Sequence, residues 1–393
     1  MGKIRVLSLF SNVGIAETYL KEAGVDVVVA NEIDPRRSAF YSAKHPDALM
    51  VSDDVTKAET KDTLVKEATE RGVRLVIATP PCQGMSSAGL ARANEDARNF
   101  LIKDAVEIIR RVDPDYVLFE NVPQQLKTLI PDDDGNPILI PDYLQRELGG
   151  TYAFNLGDMD DRKTFKARVV NSADFGVPQS RRRAVFLLSK RSLGKVWEFP
   201  EKVSKKVTLR DAIGDLPICD PRIRGFDEKR LLEVFPKFEE RLAECLSVSP
   251  LHSPPTHSYG HVVALSHTPT GKSAFDNVPK FRPRKNDGTV VSGFPDTYMR
   301  QSWDKPACTV TSNNGSISSH TNVHPGRPAG EDSDGYPIWT DPRAFTLFEL
   351  VRVSSLPDDW TIPDGYSELF VRKVIGEGIP PLMMKRIMEN LPE

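Results

Sequence analysis

The run Leu75-Val76-Ile77, continued by Ala78-Thr79-Pro80-Pro81-Cys82-Gln83-Gly84-Met85-Ser86-Ser87, constrains the fold more than any other stretch of the chain. Consecutive apolar residues without polar alternation read as a strand buried on both faces, and two prolines end it because neither can donate to a sheet ladder. Such strands belong to open α/β sheets, whose ligands bind at the carboxyl edge of the strands. A cysteine placed there is positioned for chemistry, although a free cysteine also packs as a small hydrophobe, and Cys82 alone does not decide between the two.

Other segments repeat the pattern. Val6-Leu7-Ser8-Leu9-Phe10 is a strand that runs into the turn Ser11-Asn12-Val13-Gly14, with a helix expected over residues 16–23 and stopped by Gly24. A second strand, residues 25–30, ends at Asn31-Glu32-Ile33-Asp34. An acid about 20 residues after such a turn can hold a ribose diol, and Glu32 sits there. Asp53-Asp54 marks a third strand end. These features suggest an adenosine site and leave NAD, FAD and S-adenosylmethionine open. A helix is expected over residues 96–111, and then Tyr116-Val117-Leu118-Phe119 ends in Glu120-Asn121-Val122-Pro123. Glu120 would face the same crevice as Cys82. Further on, Gln179-Ser180-Arg181-Arg182-Arg183 leads into a strand over residues 184–188. Alternation puts Arg181 and Arg183 on one face, where two guanidiniums can bind a phosphate or a base carbonyl.

Composition bounds the rest. With 39% hydrophobic and 27% charged residues the chain fits a soluble globular protein. No apolar run approaches the ~20 residues of a membrane span, and the N-terminus enters a strand directly, so no membrane partner and a cytoplasmic location are expected. The cysteines, Cys82, Cys219, Cys245 and Cys308, lack C-x-x-C spacing and read as reduced thiols. The net charge of −3 hides fourteen Lys/Arg between Arg162 and Arg210 against Asp174, Glu198 and Glu201, a strip compatible with a polyanion. Residues 193–342 turn irregular and strand-rich; His252, His257, His261 and His267 gather there with Cys245, but their spacing matches no standard zinc site and no metal is expected. The expected organisation is an α/β domain over residues 1–192, a second, smaller, irregular and strand-rich domain over 193–342, and a segment over 343–393 that returns to regular structure.

The motifs together resemble the bacterial and phage-type DNA (cytosine-5-)-methyltransferases, in order and spacing over nearly the whole chain. The resemblance rests on Phe10 to Gly14, Glu32, Asp54, Pro80-Pro81-Cys82-Gln83, Arg98 to Leu101, Glu120-Asn121-Val122, Gln179 to Arg183, Arg343-Ala344-Phe345-Thr346 through Pro357-Asp358, and Gly376 to Pro381. It implies a Rossmann-like α/β domain with a mixed sheet and helices on both faces, dependent on S-adenosylmethionine, beside a smaller target-recognition domain. It also implies the chemistry: Cys82 adds to cytosine C6 and turns the ring into an enamine, Glu120 donates at N3, and Arg181 and Arg183 hold O2 and a backbone phosphate. The cofactor would be held by Phe10, Ser11, Asn12, Val13, Gly14, Glu32, Ile33, Asp53, Asp54, Pro81, Leu101, Glu377 and Gly378. The partner would be double-stranded DNA, with the target base flipped out of the stack. Gln83, Ser86, Ser87, Gln179, Arg282, Arg284, Asn313 and Asn314 are the candidate DNA contacts. A monomer is expected, and a cognate restriction endonuclease could act on the same site without touching it.

Three positions depart from the family pattern. Asn12 and Ile15 stand where glycines are usual, and Glu377 replaces an asparagine. They raise the alternative of a donor analogue altered at its carboxylate. Asparagine tolerates a left-handed backbone, so the first turn is expected to survive. A Rossmann oxidoreductase gives no reason for the cysteine, glutamate and arginine motifs. A silent DNA-binding homologue gives none for Cys82 and Glu120, and an RNA substrate leaves the large second domain unexplained.

Overall fold

The computed structural model describes residues 4–81, 100–155, 169–285, 288–294 and 296–392. The chain divides into two compact units. Unit 1 comprises Met1–Phe175, Arg182–Val203 and Ile379–Glu393; unit 2 comprises Gly176–Arg181 and Ser204–Gly378.

In unit 1 the apolar runs form β1 (Ile4–Leu9), β2 (Val25–Asn31), β3 (Leu49–Val51), β4 (Leu75–Ala78) and β5 (Tyr116–Asn121), followed by β6 (Tyr152–Phe154), β7 (Val169–Asn171) and β8 (Arg182–Lys190). They make one eight-stranded sheet in the order β3-β2-β1-β4-β5-β8-β6, with β7 also paired to β8. β1 lies parallel between β2 and β4, with Val6 opposite Val27 on one side and Leu75 on the other. β8 runs antiparallel to β5 and sets Val185 beside Glu120. The chain moves outward from β1 to β3 and returns to β4 on the other side of β1. The order therefore reverses at the carboxyl ends of β1 and β4, and neighbouring loops diverge there to leave a crevice.

Alternation sends Leu7, Leu9, Val76, Val117 and Phe119 to one face, where they pack with Leu64 of α2 (Ala58–Glu70), Ile102, Ile108 and Ile109 of α3 (Leu101–Val112), and Leu144 of α4 (Ile140–Leu148). Ser8 points the other way and bonds Glu17, which in turn accepts from Tyr41 of α1 (Pro35–Lys44), so that helix covers the opposite side. The expected helix over residues 16–23 is instead two 3₁₀ segments, Ile15–Glu17 and Leu20–Ala23. It lies between two left-handed glycines, Gly14 (φ 79°) and Gly24 (φ 77°), and closes with i to i+3 bonds. The final helix, Pro381–Glu389, packs on these segments, and Trp197 donates from its indole nitrogen to Ile387 O at 3.1 Å.

In unit 2 the strands are two-residue to four-residue ladders, Arg222–Ile223 with Thr256–His257 and Pro328–Glu331 with Pro337–Trp339. Its principal helices are α5 (Phe238–Val248), α6 (Tyr259–Ser266), α7 (Leu347–Val353) and α8 (Glu368–Glu377). The observed division differs from the expected one at both boundaries. Residues 343–378 stay with unit 2, because the fully buried Arg343 pairs with Glu349 at 2.7 Å and Asp341 at 2.8 Å and donates to Cys219 O at 2.6 Å. Residues 193–203 stay with unit 1, where Val203 N donates to Asp174 O at 2.8 Å. Among the described residues no helix is long and apolar enough to cross a membrane.

Candidate active site at the strand ends

The turn after β1 is built with Asn12 and Ile15 and runs through left-handed residues. Phe10 (φ 60°) and Asn12 (φ 52°) both take left-handed conformations, as does Gly14 (φ 79°). Asparagine bears this readily; Phe10 does so at a cost of roughly 1–3 kcal/mol, of a kind that gathers at ligand sites. Gly14 alone could not be replaced, since a Cβ there would stand 2.3 Å from His45 Nε2. Ile15 is 4% exposed and belongs to the core, so a branched side chain is accommodated at that position.

Glu32, at the end of β2, accepts from Asn12 N at 3.0 Å and Asp34 N at 2.9 Å. Burial raises its carboxyl pKa, against these N–H bonds and the charge of Arg37. A carboxylate has about four lone-pair positions, so two remain for a diol. Ile33 beside it is 62% exposed, an apolar face with nothing packed over most of it. Asp53 is occupied locally, accepting from Lys57 Nζ at 2.7 Å and Thr60 Oγ1 at 3.1 Å, and Asp54 accepts from Thr56 N at 2.9 Å. Ser11 donates to Asn31 O at 3.1 Å, Val13 is buried, and Phe10 and Leu101 both lie against the core of unit 1. A strand-end acid, an exposed apolar side chain and a left-handed turn fit an adenosine-bearing cofactor at the crevice.

At the neighbouring strand ends, Glu120 is buried and its Oε1 lies 2.8 Å from Arg183 Nε, with the two side chains 7% and 12% exposed. Antiparallel β8 supplies that arginine opposite the end of β5. Asn121 donates from Nδ2 to Pro80 O at 2.9 Å, which fastens Pro80, just past β4, onto the strand carrying Glu120. No role for Asn121 was evident from sequence; its place in the Glu120-Asn121-Val122 triplet was the available signal. Cys82, Gln83, Ser86, Ser87 and Arg98 lie outside the described residues.

The two arginines expected to act together have different partners. Arg181 belongs to unit 2, is 3% exposed, and donates to the carbonyls of Val310 (2.8 Å), Gly376 (2.9 Å) and Glu377 (3.2 Å). Alternation placed both on one face, but the chain leaves unit 2 between Arg181 and Arg182, so the strand pattern does not run through both. Arg181 thus fastens the backbone at Gly376 and Glu377, while Arg183 lies beside Glu120. Gly378, next in line, donates its N–H to Val374 O at 2.9 Å and closes α8. Gln179 is likewise buried, its Oε1 accepting from Val310 N at 3.1 Å. Asn314, 1% exposed, donates to Thr311 O at 2.8 Å and Arg372 O at 2.7 Å, which removes it from base reading. Asn313 is exposed. Arg282 and Arg284 are exposed too, but brace their own loop through Asn277 O (2.9 Å) and Gly288 O (2.8 Å).

A family model described as C-5 cytosine-specific DNA methylase matches residues 4–393. The chain belongs to this family. It is 36% identical over 390 residues, 98% of this chain and 97% of the relative, to the Type II methyltransferase M1.HgaI of Avibacterium volantium. It is 26% identical to M1.HphI of Haemophilus parahaemolyticus over 98% of this chain and 85% of that one. Among solved structures, an E. coli DNA modification methyltransferase encoded within a prophage shares the fold at TM-score 0.64 and 20% identity, covering 99% of this chain and 98% of that one. The protein is accordingly a C-5 cytosine DNA methyltransferase that uses S-adenosylmethionine and acts on DNA.

The histidines of unit 2 serve separate structural roles. His252 Nδ1 lies 2.9 Å from Thr346 Oγ1, His257 Nε2 accepts from Ala344 N at 3.1 Å, and His267 Nε2 meets Asp332 at 3.0 Å. Cys245 donates to Ile218 O at 3.6 Å, and among the described residues no three His, Cys, Asp or Glu side chains group so as to hold a metal ion.

Proposed function

We propose that this methyltransferase extrudes a cytosine from duplex DNA and attacks C6 with the Cys82 thiolate, while Glu120, held by Arg183, delivers a proton to N3. The observation that carries this reading is the buried pair of Glu120 and Arg183 at 2.8 Å, on the strand whose Asn121 is bonded to Pro80. Addition of sulfur at C6 and a proton at N3 makes C5 an enamine carbon. Bound S-adenosylmethionine would supply the electrophilic methyl group for C5, its sulfonium leaving as the thioether of S-adenosylhomocysteine. Loss of the C5 proton to a base, departure of Cys82 from C6 and return of the N3 proton to Glu120 then restore the aromatic ring, the thiolate and the carboxylic acid.

Phe10, Glu32, Ile33 and Asp54 would hold the adenosine, with Glu32 on the ribose hydroxyls through its remaining lone pairs. The three departures from the family pattern do not call for an altered donor. Asn12 adopts the left-handed backbone, Ile15 is buried, and Glu377 gives its carbonyl to Arg181. Methyl from S-adenosylmethionine is therefore favoured over an analogue. The enzyme acts as a monomer in a restriction–modification setting, where a cognate endonuclease reads the same site without contact.

Cys82→Ser tests the central claim: methyl transfer is lost while DNA binding persists, and transfer at the wild-type rate would refute the nucleophile. Mass spectrometry of nucleosides from treated DNA reads the transferred group directly. Plain 5-methylcytosine supports methyl, and a heavier adduct at C5 would support the analogue.

A further inference from the structure

Unit 2 contains a cavity of about 320 Å³ whose lining, apart from Asn313, was given no role in DNA contact above. Its wall includes Arg224, Ser258, His261, Ser312, Asn313 and Ser316, and only Ile317 and Leu369 among its lining residues are apolar. No carboxylate is among the described residues that line it, in a chain whose net charge is −3. The exposed Arg224 guanidinium makes no hydrogen bond or ion pair with another described residue, so its donors are available. The second arginine of the cavity is differently placed: Arg372 is bound to Glu368 at 2.7 Å and Phe345 O at 2.9 Å and serves as wall. Burial, with the charge of Arg224, lowers the pKa of His261, so that ring is neutral at physiological pH and the positive charge is that of Arg224.

A cavity rich in N–H and O–H donors, free of carboxylates and with one available guanidinium, selects an anion with several acceptor oxygens. Within duplex DNA the choice falls between backbone and base edges. Base edges lie on the floor of a groove roughly 8.5 Å deep and are reached by elements that protrude. The phosphodiester backbone is the convex ridge, and a concave donor-lined surface complements it.

We propose that this cavity seats a backbone phosphodiester of the substrate DNA, with Arg224 as its counter-charge and Ser258, Ser312, Asn313 and Ser316 as hydrogen-bond donors to the phosphate oxygens. The contact sets the orientation of unit 2 on the duplex and carries no sequence information. It rests on the reading that duplex DNA is the substrate. Sequence reasoning placed the basic surface at residues 162–210 and gave no role to Arg224, since two arginines balanced by the acids of residues 220–228 carry no compositional signal.

The test is equilibrium binding of full-length protein to a fluorescein-labelled duplex of mixed sequence, titrated from about 50 to 200 mM salt, for wild type, Arg224→Ala, Arg224→Gln and Arg224→Lys. Each phosphate neutralised contributes about 0.9 to the slope of log affinity against log salt. Arg224→Ala and Arg224→Gln are expected to flatten the slope by about 0.9 and to weaken binding severalfold on every sequence, while Arg224→Lys keeps the slope. Two neutral variants guard against a folding defect in one of them, and coincident melting curves establish that both are folded. If wild type binds and the neutral variants keep its slope and affinity, the cavity assignment falls and the functional reading stands. If methylation in genomic DNA relaxes at one base position with an unchanged slope, Arg224 reads a base and the proposal is overturned. If wild type itself binds no duplex DNA, the functional reading fails, a result distinct from both.

Discussion

Removing Arg183 should expose how much of the site depends on one buried ion pair. Arg183 Nε and Glu120 Oε1 are 2.8 Å apart, with side chains only 12% and 7% exposed. At an effective dielectric of about 20 their gross attraction is about 6 kcal/mol, part of which offsets the desolvation of both groups. Arg183→Ala leaves the carboxylate buried without its cation, and loss of one member of such a pair typically costs about 3–5 kcal/mol. For a unit of this size that is a fall in melting temperature of roughly 6–20 °C. Glu120→Gln removes the charge as well as the acid, so the double variant Glu120→Gln, Arg183→Ala should be clearly more stable than the sum of the single losses. Differential scanning calorimetry on the four proteins closes the cycle, and a coupling energy under about 0.5 kcal/mol would refute a buried, stabilising pair. Activity separates the roles further: Glu120→Gln should slow transfer by about 10²–10⁴-fold, the usual contribution of a positioned proton donor, while leaving the melting curve closer to wild type than Arg183→Ala does.

Three further outcomes follow from other parts of the molecule. Burial raises the Glu17 carboxyl above its ordinary value near 4.5, outweighing the charge of His45 and the hydrogen bonds of Ser8 and Tyr41. A raised native pKa means that the associated stability is complete below 4.5 and is lost as pH rises through the native value; Glu17→Gln should therefore gain on wild type with increasing pH, and parallel melting curves from pH 4 to 8 would contradict this. Asn121→Ala deletes the 2.9 Å bond to Pro80 O and leaves a buried carbonyl without that donor, a cost of about 1–3 kcal/mol. Its turnover should fall while the affinity for cofactor, measured by calorimetric titration, holds. Gly376→Ala puts a methyl group 2.1 Å from Thr311 O, a backbone atom with no rotamer to escape into, so chemical denaturation should show a loss of at least about 1–3 kcal/mol.

The sheet of unit 1 was legible because its strands are short apolar runs whose polar ends mark the carboxyl edge. Leu75 to Ala78 is a strand as read, and Glu32 and Glu120 stand at strand ends facing the loops. Asn12 in a left-handed turn was foreseen from its side chain alone. What failed was inference by alternation across a boundary between units. Arg181 and Arg183 are two residues apart, yet one serves carbonyls of unit 2 and the other a carboxylate of unit 1. Asn314 failed for a related reason: a polar side chain in a loop reads as available, and only the fold reveals that its amide is spent on Thr311 and Arg372.

The arginines of unit 2 explain why that unit carries no periodic signal. Irregular buried backbone leaves carbonyl oxygens without the partners that a helix or sheet would provide, and each needs a donor. Arginine has five N–H groups on one planar fork, more than any other side chain. Arg300, fully buried, donates to the carbonyls of Leu265, His324, Thr340 and Asp341. Arg181 donates to three carbonyls, Arg372 to that of Phe345, and Arg343 to those of Cys219 and Ala344. The distances in sequence run from one residue for Arg343 and Ala344 to 196 for Arg181 and Glu377, so local pattern cannot reveal them. In a unit held this way, a cationic residue on the page of the sequence is more often a fastener than a ligand. The same rule distinguishes Arg224: with its guanidinium engaged by no carbonyl or carboxylate of a described residue, it is the arginine of the cavity left with donors to give to a phosphate.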